Sequence, residues 1–228
     1  VIRERLRAQL YRVRDLLPGG LGRVSFAQEG EDLILERLFE HQATGLYVDV
    51  GAHHPVRFSN TYLLYRRGWR GVNIDAAPGS MAAFERMRPR DVNLEVGVTA
   101  RAETRELYVF DEPALNTFDA ERARSLERPP YKITGVHPVQ CAPLAQLLRE
   151  HAIGEIDLLS IDAEGFDFEV LQTVDWDVAR PKVVITEHFS RDLAEVMTSE
   201  LHGYLSARGY RLTAKTFNSL FYTSRQRE

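Results

Sequence analysis

Short apolar runs alternate with helical patterns from residue 46 to residue 208, and this alternation restricts the chain more than any other feature. The apolar runs are Leu46–Val50, Gly71–Ala76, Val92–Val98, Ile156–Asp162 and Lys182–His188. Helical patterns cover Ser25–Glu40, Asn60–Arg67, Gly79–Met87, Phe166–Thr173 and Asp192–Arg208. Such alternation predicts an α/β domain with a mostly parallel sheet covered by helices on both faces. Tyr210–Lys215 and Ser219–Thr223 close the chain as two strands joined by a short turn. They predict an antiparallel pair at one edge of the sheet. Residues 104–143 interrupt the alternation with Arg105–Phe110, Leu115–Phe118 and Pro129-Pro130, and read as an insertion or flap near a site.

In open parallel sheets, ligands bind beyond the carboxyl ends of the strands. Here every such end carries a glycine, a carboxylate or an imidazole. Asp49, Gly51, Ala52, His53 and His54 follow the first run, and Asp75 ends the second. Gly97 lies in the third, Asp162-Ala163-Glu164-Gly165 ends the fourth, and Glu187-His188 ends the fifth. A glycine after the first strand allows a tight turn and close backbone approach to a ligand. A carboxylate ending the second strand can accept both hydroxyls of a ribose. Dinucleotide sites need three glycines in G-x-G-x-x-G to admit a pyrophosphate. Gly51-Ala52-His53-His54-Pro55-Val56 has one, which argues against an NAD oxidoreductase.

Five segments in order resemble the FkbM-type methyltransferases. They are Ser25-Phe26-Ala27-Gln28-Glu29-Gly30-Glu31-Asp32, Tyr47-Val48-Asp49-Val50-Gly51-Ala52-His53-His54-Pro55, Ser59-Asn60-Thr61, Gly68-Trp69-Arg70-Gly71-Val72-Asn73-Ile74-Asp75-Ala76 and Ile161-Asp162-Ala163-Glu164-Gly165. The likeness runs from about Ser25 to Tyr222. It implies a Rossmann-like class I methyltransferase fold, with a mostly parallel seven-stranded sheet. It also implies S-adenosylmethionine as cofactor and O-methylation of a sugar, polysaccharide or natural-product hydroxyl. The domain then spans residues 25–228, with residues 1–24 as a basic amphipathic helix and linker. By the same resemblance Gln28, Asp49, Gly51, Ser59, Asn60, Asp75, Ala76 and Gly97 surround the cofactor, and His53 and Asp162 join them at the strand ends. His53-His54-Pro55 replaces the family's Asp-x-Gly-Ala-Asn type of turn, a departure that bears on the acceptor more than on the cofactor.

Methyl transfer to an alcohol requires alignment of the hydroxyl and removal of its proton. His188, Glu164 and His54 are the catalytic candidates. Asp162, Glu187 and His188 are the candidate ligands if a divalent metal assists; oxygen ligands suit Mg²⁺, and an added imidazole admits Mn²⁺. In the insertion, Asn116-Thr117 can hydrogen-bond a sugar, and Tyr108, Phe110, Phe118 and Tyr131 can stack on one. The competing reading from another class is a Rossmann-like nucleoside-binding or scaffold module without turnover.

A net charge of −4 and a pI near 6.0 give no footprint for broad nucleic-acid binding. Cys141 is the only cysteine, so no internal disulfide can form. No apolar run approaches the ~20 residues of a bilayer span, and Val1-Ile2-Arg3-Glu4-Arg5 lacks the apolar core of a secretion signal. A cytoplasmic protein is expected. Ile2, Leu6, Leu10, Val13 and Leu17 recur at helical spacing among five arginines, so residues 1–17 predict a basic helix. Such a helix packs on its own domain, on a second subunit, on a membrane surface or on a partner.

Overall fold

The computed structural model describes residues 23–225. The expected helix at residues 1–17 lies outside them. The strands of the main sheet are β1 (Leu46–Val50), β2 (Arg70–Asp75), β3 (Val92–Glu95), β7 (Leu158–Ile161), β8 (Val183–Glu187), β9 (Tyr210–Lys215) and β10 (Ser219–Ser224). Their order is β3-β2-β1-β7-β8-β10-β9. Pairing is parallel from β3 through β8, and β10 runs antiparallel to both β8 and β9. This is the seven-stranded, mostly parallel sheet expected; its antiparallel strand lies one in from the edge, with β9 outermost.

The central strands are apolar on both faces because helices cover both. Val48, Val50, Ile74, Leu159 and Ile161 pack toward α5 (Leu144–Glu150), α6 (Asp167–Gln172), α7 (Leu193–Thr198) and α8 (Glu200–Ala207). Tyr47, Leu158, Ile185 and Phe221 pack on the other side with Leu35 of α1 (Glu31–Leu38), Leu64 and Tyr65 of α2 (Tyr62–Arg66), and Trp69. Complete burial of each large apolar side chain stabilises the fold by about 1.5–3 kcal/mol. The chain moves outward from β1 through β2 to β3, then returns to the other side of β1 at β7. That reversal opens a crevice between the ends of β1 and β7.

Three elements differ from the sequence expectation. The helix predicted from Ser25 starts at Glu31, because side chains capture the preceding backbone. The Asp32 carboxylate accepts from Ser25 Oγ at 2.6 Å and Phe26 N at 2.7 Å, and the Glu31 carboxylate accepts from Glu29 N at 2.7 Å. The long C-terminal helix is two helices, since Ser199 is extended and its hydroxyl caps α8 at His202 N. Lastly, the run Val92–Val98 divides between two sheets. Val96 N donates to Asp75 O at 3.0 Å, and the next residues form β4 (Gly97–Val98), paired with β6 (Ile133–Ala142).

β4, β6 and β5 (Glu103–Phe110) make a second, three-stranded sheet. Between β5 and β6 lie a 3₁₀ turn at Pro113–Leu115 and α4 (Ala120–Leu126), while α3 (Met81–Met87) joins β2 to β3. A side chain at Gly97 would place its Cβ 2.5 Å from Cys141 Sγ and 2.8 Å from Phe118, so only glycine lets the flap close against the main sheet there. No helix among the described residues is long and apolar enough to cross a membrane.

Candidate active site

A cavity of about 630 Å³ opens over the ends of β1, β2, β7 and β8, under the flap. Gln28, Gly51, His53, His54, Asp75 and Ala76 line one part of it; Gly97, Asp162, Glu164 and Glu187 line it as well. These ten are sequence-predicted site residues. Asp49, Ser59, Asn60 and His188 are not among its lining.

The end near β1 and β2 is built around Gly51. Its φ is +76°, and a Cβ there would come within 1.7 Å of the Asp162 carbonyl oxygen. Two residues on, His53 is held left-handed at φ 54°, a conformation that costs a non-glycine residue about 1–3 kcal/mol. Its backbone N–H donates to Asp75 Oδ2 at 2.9 Å, and Ala77 N donates to Oδ1 at 2.8 Å. A carboxylate has about four acceptor sites, so Asp75 keeps capacity toward the cavity. Burial raises the Asp75 pKa, opposed by those two backbone bonds. Burial lowers that of His53, whose ring is therefore neutral at pH 7. His53 Nε2 is buried without a protein partner, which suits a ligand atom.

The other end, at β7 and β8, is acidic and aromatic. Asp162 Oδ1 and Glu187 Oε2 are both buried without partners. Asp167 stands behind them, accepting from Thr186 Oγ1 at 3.1 Å, Glu187 N at 2.9 Å and Ala163 N at 3.2 Å. Burial raises Asp167 to about 6. Burial, reinforced by the charges of Glu164 and Asp167, pushes Glu187 up to about 8. Asp162 is also raised, by burial and by Glu187. Arg122 of α4 reaches across from the flap, its Nη2 2.7 Å from Glu164 Oε2 and its guanidinium 5.1 Å from the Phe189 ring. Phe166 and Phe189, which follow β7 and β8, line the cavity here; Asn116, Thr117 and Phe118 of the flap line it too, Phe118 lying edge-on to Phe166 and packing toward Ala76 and Ala77. Tyr108, Phe110 and Tyr131 do not line it.

The imidazoles are poorly disposed to take a proton. His54 Nδ1 accepts from Val56 N at 3.0 Å and Arg57 N at 2.9 Å. His188 Nδ1 accepts from Ser190 N at 3.2 Å. In a neutral ring with an accepting Nδ1, the hydrogen sits on Nε2. His188 also lies outside the cavity lining, its backbone N–H tied to Asn218 O. The expected metal set is therefore not assembled: Asp162 and Glu187 share the cavity, His188 does not. Among the described residues no three His, Cys, Asp or Glu side chains form a metal-holding group.

Asp49, Ser59 and Asn60 belong to a buried network behind the cavity wall. Thr61 Oγ1 donates to Asp49 Oδ2 at 2.6 Å, and Asn60 Nδ2 to Ser160 Oγ at 3.3 Å. Ser59 Oγ accepts from Arg88, a fully buried residue that the sequence reading missed. Nothing in the sequence marks it: at the end of α3, an arginine reads as a solvated cation favouring the helix dipole.

The sheet order, the glycine turn, the strand-end acid and the crevice between β1 and β7 together define a class I methyltransferase. A family profile, the methyltransferase FkbM domain, matches residues 49–212. The chain belongs to the FkbM methyltransferase family and is an S-adenosylmethionine-dependent methyltransferase. No curated protein matches it. Among solved structures it is similar to an O-methyltransferase from Bacillus cereus in complex with S-adenosylhomocysteine, at 15% identity and TM-score 0.45, covering 95% of this chain and 88% of that one. It is also similar to a protein assigned as an O-methyltransferase from Klebsiella pneumoniae, at 14% identity and TM-score 0.44, covering 96% of each chain.

Proposed function

We propose that this protein methylates a hydroxyl of a sugar, polysaccharide or natural-product acceptor. The observation that carries the reading is the polarity of the cavity at the strand ends. Its β1/β2 end offers Asp75 and the partnerless His53 Nε2, which fit a nucleoside. Its β7/β8 end offers partnerless carboxylate oxygens of Asp162 and Glu187 together with Phe166 and Phe189, which follow those strands. Hydroxyl donors satisfy such oxygens, and the apolar face of a sugar or polyketide packs on such rings.

S-adenosylmethionine, when bound, supplies an electrophilic methyl group on a sulfonium. Asp75 accepts the ribose hydroxyls, and Gly51 lets the β1 turn approach closely. The flap excludes water from the acceptor end. The hydroxyl proton passes to whichever of Asp162 and Glu187 is in its carboxylate form; burial lifts Glu187 to about 8, so the fraction able to accept a proton, and turnover with it, rises as pH climbs toward that value. Glu164 is neutralised by Arg122 and orients the flap. The test is incubation with methyl-labelled cofactor and a panel of sugars and hydroxylated natural products. Labelled product is expected from the wild type. Glu187→Gln should lose about 100-fold or more in turnover while binding S-adenosylhomocysteine normally. Labelling of amines alone, or of nothing, would overturn the hydroxyl assignment.

A further inference from the structure

We propose that Arg88, which does not line the cavity, is the positioning residue that holds the turn at residues 51–61 in its cofactor-accepting shape. Arg88 is completely buried. Its Nε donates to Pro55 O at 2.9 Å, Nη2 to Ser59 Oγ at 2.6 Å, and Nη1 to Thr61 Oγ1 at 2.8 Å and Asn73 Oδ1 at 3.0 Å. Three of these four acceptors belong to the turn, and the fourth anchors the group to β2. The guanidinium lies 5.4 Å from the Tyr62 and Phe84 ring centroids and 5.7 Å from that of Tyr65. A planar fork is required for this set of bonds; an ammonium cannot reproduce it.

The buried charge has its counter-charges within the same network. Thr61 relays it to Asp49, and Asn73 Nδ2 donates to Asp91 Oδ2 at 3.0 Å. Asp91 in turn accepts from the Tyr47 hydroxyl and from Gly71 N. A buried cation placed this way is costly without its partners, so the turn is committed to one position. That position includes two left-handed non-glycine residues, His53 and Phe58, whose rings stack 6.1 Å apart. Strain of this kind persists only where the surroundings over-determine it. Pro55 and Ser59 lie between and beside those residues, and Arg88 holds both. What the clamp presents to the cavity is His53, with its N–H on Asp75 and its Nε2 free for a ligand. Of the four sequence-predicted residues outside the cavity, three act through this network: Ser59 at the guanidinium, Asp49 through Thr61, and Asn60 by fastening the turn to β7.

The role in cofactor binding rests on the methyltransferase reading; the clamp itself does not. Two kinds of measurement on the full chain therefore separate them. Amide hydrogen exchange without ligand should show residues 52–61 losing protection in Arg88→Lys, Ser59→Ala and Thr61→Val, while β7 and β8 stay protected. Titration with S-adenosylhomocysteine should give about 10-fold weaker binding for Ser59→Ala and Thr61→Val. Guanidinium added to Arg88→Ala should restore both protection and affinity. If Arg88→Lys or Arg88→Ala fails to fold, Ser59→Ala and Thr61→Val decide the matter. Uniform loss of protection across the sheet, or unaltered affinity despite a loosened turn, would overturn the proposal. Absence of cofactor binding by the wild type would sink the methyltransferase reading, leaving exchange alone to judge the clamp.

Discussion

Asp75 shows how one side chain can serve both fold and ligand. Its two oxygens fix the His53 and Ala77 amides, yet the residue lines the cavity. A charge-assisted hydrogen bond contributes about 1.5–3 kcal/mol, so Asp75→Ala should weaken S-adenosylhomocysteine binding by about 10–100-fold in calorimetry. Glu187 gives a pH prediction. Its pKa rises on folding from an ordinary value near 4.5 to about 8, driven by burial and then by Glu164 and Asp167, with Arg122 opposing and Glu29 adding. Between those values the folded state holds a proton that the unfolded state has released, so stability falls as pH rises through the window. Glu187→Gln has no such proton to lose. The variant should melt above the wild type at pH 9, with the gap closing as pH falls toward 4.5. A gap independent of pH would contradict the raised pKa. His188 shows the opposite outcome: its strand-end position was legible, but the bond from Ser190 N that turns its ring was not.

At the scale of elements, the central strands β1, β2, β7 and β8 were legible because they are buried on both faces and read as short, mostly apolar runs, whereas β3 and β9 are partly exposed. The boundaries were less so, because side-chain hydrogen bonds set them. Ser199 ends one helix and caps the next within a sequence whose apolar spacing never falters. The passage from β3 to β4 is decided by contact between Gly97 and the distant Cys141 and Phe118, which no local window contains. Gly51 marks the contrary case, a glycine whose need was readable and whose reason is tertiary. The ends of β1 and β7 press together with no space for a methyl group. Gly51→Ala should destabilise the protein by at least about 1 kcal/mol from the positive φ alone, and further by overpacking against the Asp162 carbonyl. Denaturant unfolding would measure it. A change within ±0.5 kcal/mol would mean that the two strand ends separate easily, and that the crevice is softer than this contact implies.

The site belongs to the whole molecule, since β1, β2, β7, β8 and the flap each supply part of its wall. The alternation of strands predicts that convergence; the flap's own sheet and the Arg88 network emerge only when distant segments meet. A ligand gripping so many elements should stabilise the fold as a unit. Binding to the native state alone adds RT ln(1 + [L]/Kd), about 2.7 kcal/mol at a hundredfold excess over Kd. For a domain of this size each kcal/mol moves Tm by about 2–4 °C. S-adenosylhomocysteine at that excess should therefore raise Tm by about 5–10 °C. NADH should leave it unchanged, since the turn after β1 has one glycine where a pyrophosphate needs three. The Arg88 variants add a second constraint. At a fixed ligand concentration their Tm increment should shrink by the amount their Kd predicts. An increment that vanishes while Kd is preserved would show that the two halves of the sheet unfold separately, with the cofactor end melting apart from the acceptor end.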